Sequence, residues 1–109
     1  MSDYYYLNDD KTVRPCSSQE YGDQRMSMAV NNTKHVGYNL VDGHRVSTVW
    51  LGINHNWAEF GKPLVFETMV FEDDKTGQEI YMDRYSTWDE AVEGHQKAIQ
   101  WVKDGCVDE

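Results

Sequence analysis

Between two runs of β-type residues, 35–41 and 44–51, stand only Asp42 and Gly43. A two-residue Asp-Gly link is the strongest local signal for a hairpin. A type I′ turn needs positive φ at both central positions, which Asp tolerates and Gly adopts without penalty. The second arm then alternates, with Val46, Thr48 and Trp50 on one face and Arg45, Ser47, Val49 and Leu51 on the other. Residues 64–71 read as a third strand. Asp73-Asp74-Lys75-Thr76-Gly77 reads as the turn into a fourth strand over 78–85. Successive β runs joined by short or medium connections favour an antiparallel meander.

The segment after the sheet has helical spacing. Thr87-Trp88-Asp89-Glu90 forms a capping box, Thr87 at the N-cap and Glu90 reaching back. Trp88, Ala91, Val92, His95, Ala98, Ile99 and Val102 follow in one stripe, and Gly105 after Asp104 stops the run. The spacing predicts a helix over 87–104 with its apolar face on the sheet.

The first 33 residues are less defined. Tyr4-Tyr5-Tyr6-Leu7 has β character and ends at the turn cluster Asn8-Asp9-Asp10. A short helix starts on Ser17 or Ser18, and Gly22 is expected to keep it brief or irregular. Met26-Ser27-Met28-Ala29-Val30 alternates weakly. The expectation is one α+β domain over 1–109. It comprises a loose N-terminal segment (1–33), an antiparallel meander of about four strands (34–85) and a C-terminal amphipathic helix (87–104) packed on one face.

Charge narrows the function. The 109 residues carry a formal −9, with a net of −1 over residues 1–57 and −8 over 58–109. Direct binding to a phosphate backbone needs clustered Lys and Arg and is not expected. An acidic surface docking on a basic protein, or mimicking DNA, is compatible. Cys16 and Cys106 stand near opposite ends, too few for a disulfide scaffold and without a metal-type spacing. The start MSDYYYLNDD has neither a basic nor an apolar leader region, and no apolar run reaches membrane-spanning length. The expected setting is a reducing cytoplasm, with no membrane partner and no cofactor.

Few residues invite chemistry. His95 falls near the centre of the helix stripe, so it is either a neutral core histidine or a ligand or base facing His55 or Glu67. Glu67 lies in a nearly apolar strand. If it is inside, it needs a cation, and Arg84 on the neighbouring strand offers a cross-strand pair. Asn54, His55 and Trp57 share a loop after a strand, where binding residues gather. A metal site from His55, Glu67 and His95 has acceptable ligand types but no diagnostic spacing, and no metal is expected. Trp101 lies on the flank of the helix, with Gly94 and Ala98 one and two turns earlier. It is the candidate for a partner or self-association surface.

The blocks RVSTVWLGINHNW, PLVFETMVF and RYSTWDEAVEGH, in this order over about residues 34–106, resemble a family of small proteins encoded by tailed bacteriophages and their prophages. The look is closest to marine members of the cyanophage type. Family members often carry Asp where this chain has Asn54, and a glycine-rich loop where it has Ala58-Glu59-Phe60-Gly61. The resemblance implies a phage origin and a host-cytoplasm or virion setting. It implies no catalytic activity.

Three functions fit these readings. The first is a non-enzymatic phage accessory protein that binds a host or phage protein, or itself. The second is a small enzyme or ligand-binding protein using His55, Glu67, Arg84 and His95. The third is an acidic DNA mimic directed against host defence.

Overall fold

The computed structural model describes residues 3–56, 61–72 and 77–107. Strand β1 (Tyr5–Leu7) pairs antiparallel with β2 (Val13–Pro15) in a small separate sheet. Helix α1 (Ser18–Asn31) follows. Strands β3 (His35–Val41), β4 (His44–Trp50), β5 (Phe66–Phe71) and β6 (Glu79–Tyr85) then form an antiparallel meander in sequence order, and α2 (Trp88–Lys103) closes the chain. The fold is α+β, as the patterning predicts.

The hairpin forms where expected. Asp42 and Gly43 both have positive φ, 49° and 81°, the signature of a primed turn. Thr87 caps α2: its hydroxyl accepts from the Glu90 amide at 3.1 Å and donates to the Glu90 carboxylate at 3.1 Å. At the other end Gly105 N–H bonds to Val102 O and Cys106 N–H to Trp101 O, the paired bonds of a Schellman stop. Residues 73–76, the expected turn between β5 and β6, lie outside the described residues.

Three expectations are corrected. The N-terminal helix is not short: α1 runs for 14 residues, straight through Gly22 and through the segment that alternates weakly. A full capping box at Ser17 and Glu20 starts it, and Asn32 in the left-handed region ends it. A β-carbon on Gly22 would meet nothing within 4 Å, so Gly22 costs only its propensity, about 1 kcal/mol. The third strand begins at Phe66 rather than at 64. The buried stripe of α2 is also rotated. Its centre is Ala91, Gly94, His95, Ala98 and Val102, while Val92 is 41% exposed.

Helix α2 packs across all four strands of the larger sheet. The β4–β5 register sets Val46 against Val70, Thr48 against Thr68 and Trp50 against Phe66, all buried on the helix side. Two apolar clusters result. One joins Trp50, Phe66, Tyr85 and Ala91 to Tyr5 and Leu7 of the N-terminal hairpin; the other joins Val46 and Val70 to Ala98 and Val102. Helix α1 has no fully buried residue. Met28 packs on the first cluster and Tyr21 on Tyr4, and the Gln24 amide donates to Leu7 O at 2.8 Å and accepts from Leu7 N–H at 3.0 Å, imitating a strand partner for β1.

Candidate functional site

Between the two apolar clusters lies one polar layer. His95 is 4% exposed and points from α2 at the sheet. Its Nε2 is 2.7 Å from the Asn39 amide oxygen, and its Nδ1 is 2.6 Å from Thr48 Oγ1. Thr48 Oγ1 is in turn 2.5 Å from Thr68 Oγ1. An amide oxygen only accepts, so Nε2 carries the proton and donates to Asn39. Nδ1 then accepts from the Thr48 hydroxyl, and Thr48 accepts from Thr68. This chain of bonds is that of a neutral imidazole. Burial pushes the His95 pKa down, away from the charged form.

The layer depends on two close approaches. A β-carbon at Gly37 would lie 2.7 Å from His95 Nε2. One at Gly94 would lie 2.2 Å from the Tyr85 ring and hydroxyl. Burial drives the Tyr85 phenol up to about 12, with Thr68 acting in the opposite direction. The hydroxyl itself is buried and makes no hydrogen bond of good geometry among the described residues. His95 therefore occupies a satisfied structural position.

Glu67 and Arg84 pair as the spacing anticipates. They are direct cross-strand partners, with Arg84 Nε donating to Glu67 Oε2 at 2.9 Å. The pair sits on the sheet face opposite α2, because Phe66, Thr68 and Val70 take the helix side. Glu67 is nonetheless only 7% exposed. It is flanked in register by Val49 and Arg84. His95 and Glu67 thus lie on opposite faces of one sheet, and the His55–Glu67–Arg84–His95 constellation does not assemble around a common point. Among the described residues, no group of three His, Cys, Asp or Glu side chains could hold a metal ion.

The loop residues have structural tasks. Asn54 is buried, and its side-chain oxygen accepts from Asn56 N–H at 2.8 Å and Leu64 N–H at 3.0 Å, which pins the loop to the start of β5. His55 N–H bonds to Leu64 O at 2.9 Å. Trp57 lies outside the described residues. Trp101 is partly buried, its ring 4.9 Å from that of Tyr81 on β6. The flank of α2 that carries Gly94, Ala98 and Trp101 is taken up by β6 of the same chain, so Trp101 is not a free docking ring. Cys16 and Cys106 are both free thiols, and burial pushes both pKa values up.

A broad polar cleft of about 830 Å³ runs between α1 and the N-terminal hairpin. Its polar groups largely satisfy one another: Arg14 bonds Glu20 at 3.0 Å, and Gln24 bonds Leu7. That leaves few convergent groups to orient a ligand.

The feature that residue-by-residue reading misses is the outer sheet face. Alternation from the helix-facing threonines puts Ser47, Val49, Met69 and Phe71 there, and the registers add Tyr38, Leu40 and Met82. Leu40 is 62% exposed, Tyr38 49% and Met82 44%. No described helix or strand packs on this face. Its charges are few: the Glu67–Arg84 pair, Glu79 opposite Phe71 in the register, and Arg45, whose guanidinium lies 4.6 Å over the Phe71 ring. One sequence signal pointed to it. The strands over 44–51 and 64–71 are apolar on both faces, which a sheet covered on one side does not require.

These features define an α+β protein with a histidine-bearing core under its helix and, on the other side of the sheet, a largely apolar face that no described helix or strand covers. No family model, no curated protein and no solved structure matches this chain. No helix among the described residues is long and apolar enough to cross a membrane.

Proposed function

We propose that the protein works by binding another protein through the outer face of its β3–β6 sheet, as a non-enzymatic accessory protein of a tailed bacteriophage acting in the host cytoplasm. The observation that carries the reading is that Tyr38, Leu40 and Met82 stand in water on a face no described element covers. A sheet needs one buried face to be stable, and α2 already supplies that cover. A second apolar face adds nothing to the monomer and exposes a contiguous patch of the kind that marks interaction sites. Its centre is apolar with one partly buried ion pair, and Arg45 and Arg84 are matched by Glu67 and Glu79, on a chain of net −9. The face is therefore less acidic than the rest of the molecule and accepts an apolar, neutral protein surface. The phage setting rests on the resemblance of the three sequence blocks. The separation of Glu67 from His95 supports binding over catalysis.

The test is affinity capture from lysate of bacterial host cells, with the wild type beside Met69→Glu/Met82→Glu. The two residues are direct cross-strand partners on the open face. The expected result is a specific protein retained by the wild type and lost with the double variant, while far-UV circular dichroism is unchanged. Equal capture by both, or capture of nothing specific, overturns the assignment of this face.

A further inference from the structure

We propose that a second copy of this chain adds to the β3 edge, strand to antiparallel strand about a two-fold axis near Tyr38, so that two four-stranded sheets become one sheet of eight. This rests on the reading of the protein as a binding protein and names its partner.

The two edges of the sheet are treated differently. Edge strands are commonly guarded by charges, prolines or bulges that stop another strand from pairing. Strand β6 has such guards: Glu79, Asp83 and Arg84 in seven residues, and a register shift between Val70 and Phe71 on its ladder. Strand β3 reads HVGYNLV, with no Lys, Arg, Asp, Glu or Pro, and its irregularity lies at the His35/Gly37 end. Over residues 38–41 it pairs regularly with β4 on one side, and among the described strands it has no neighbour on the other. Tyr38, Asn39 and Leu40 are all exposed in this stretch.

The edge is its own complement. It runs from a cation, Lys34, through the uncharged segment 36–41 to an anion, Asp42. A two-fold axis near its middle reverses one copy against the other. The uncharged stretch 36–41 of each chain then lies against the same uncharged stretch of its mate, so no like charges meet along the seam. On the outer face the same operation sets Tyr38 opposite Tyr38 of the mate, with Leu40 of each chain diagonal to it. Aromatic–aliphatic neighbours of this kind are among the favourable cross-strand pairs. No acid other than the terminal Asp42 lies in the seam, and β5 and β6, from the half of net −8, stand on the far side of each sheet. Asn39 keeps its bond to His95 on the inner face, so the seam forms without disturbing the polar layer. Pairing also joins the two open faces into one continuous apolar surface. A seam of about seven residues spans roughly 23 Å of strand and is small for an interface, so a concentration-dependent dimer is expected.

The experiment is sedimentation equilibrium of the full chain up to about 300 µM, a range suited to a small interface. Wild type is compared with Tyr38→Lys/Leu40→Lys, which places two charges on the exposed edge and touches no residue of the His95 layer. The expected result is a wild-type mass rising to twice 12.7 kDa and a variant that stays at 12.7 kDa with unchanged melting. A wild type that remains monomeric, or a dimer the variant leaves intact, overturns the inference. Hydrogen exchange on the wild type serves if the variant misfolds: amides of 38–40 should gain protection as concentration rises, and no gain overturns it. A monomer that still captures a host protein through Met69 and Met82 leaves the binding reading standing and removes only the second copy. A dimer with no capture of host protein leaves the seam standing and removes the outer face as a host-binding surface.

Discussion

Replacing Gly94 by alanine sets two physical effects against each other, and the structure says which wins. In an open helix the change removes glycine's excess backbone entropy and should stabilise by about 1 kcal/mol. At position 94 the new β-carbon would sit 2.2 Å from Tyr85 Cζ and Oη. Carbon atoms rest at about 3.5–4.0 Å, so more than 1 Å of separation has to be created. Tyr85 is 8% exposed and packs in the cluster with Trp50 and Phe66, so its ring has little space in which to swing. Either the ring leaves its rotamer or α2 lifts from β6, and overpacking of this kind costs about 1–3 kcal/mol. We predict that Gly94→Ala lowers stability by up to about 2 kcal/mol, the steric cost less the propensity gain. Urea denaturation followed by circular dichroism measures it. Gly22→Ala in α1 is the control, because nothing lies within 4 Å of the added carbon. It should stabilise by up to about 1 kcal/mol. On a Tyr85→Ala background, Gly94→Ala should also become stabilising. If Gly94→Ala stabilises the wild-type protein as Gly22→Ala does, then the ring yields freely and the argument that Gly94 is held by close approach is refuted.

The remaining predictions concern charge and caps. Because burial lowers the His95 pKa, its contribution to stability is complete above the usual imidazole value of about 6.5 and falls as pH drops below it, the unfolded chain binding the proton first. His35, lowered by burial and by Lys34, acts in the same direction. Melting temperature should therefore fall between about pH 6.5 and 5, and His95→Gln should flatten that slope; an unaltered slope in the variant assigns the effect elsewhere. Glu67→Gln and Arg84→Met should each destabilise, Glu67 by about 2–3 kcal/mol because it is the more buried. The double variant should lose less than the two combined, and additive losses in a denaturant cycle would mean the pair contributes no coupling. Thr87→Ala should cost about 1 kcal/mol through the lost N-cap bond, and an unchanged urea midpoint would contradict it.

Local chemistry made half of this fold readable. A primed Asp-Gly turn and a Thr-x-x-Glu cap each depend on a few adjacent residues, and both formed within a residue of their expected places. Helix α1 was obscured for the opposite reason. It buries no residue completely, so hydrophobic periodicity carries little signal there, and it is held by the Ser17–Glu20 box, the Gln24 bonds to β1 and the contacts of Tyr21 and Met28. Strand β2 was invisible because three residues, Val-Arg-Pro, hold too little pattern to read. The Glu67–Arg84 pair was legible because cross-strand partners follow from register, and the hairpin and the connections set the register.

What could not be read was which face of the sheet is the core, since β4 and β5 are apolar on both sides. The deciding residues are the polar ones. A buried threonine or histidine needs a partner, and Thr48, Thr68 and His95 supply one another only if positions 48 and 68 share a face and α2 lies over it. With 45 or 47 turned inward instead, His95 would meet an arginine or a serine, and the Glu67 carboxylate would face the helix beneath an imidazole that burial keeps neutral. Arg84, its cross-strand partner, would turn inward with it, so the whole ion pair would have to be buried under α2. The polar layer thus selects the face on which the apolar residues pack, and by exclusion it leaves Tyr38, Leu40 and Met82 outside. On this argument Thr48→Val/Thr68→Val should be tolerated poorly despite its near-isosteric volume, because it strands His95 Nδ1 without a donor, at about 1–3 kcal/mol. Adding His95→Leu should recover much of that loss in a urea titration. If the triple variant is no more stable than the double, satisfaction of His95 does not decide how the sheet is faced.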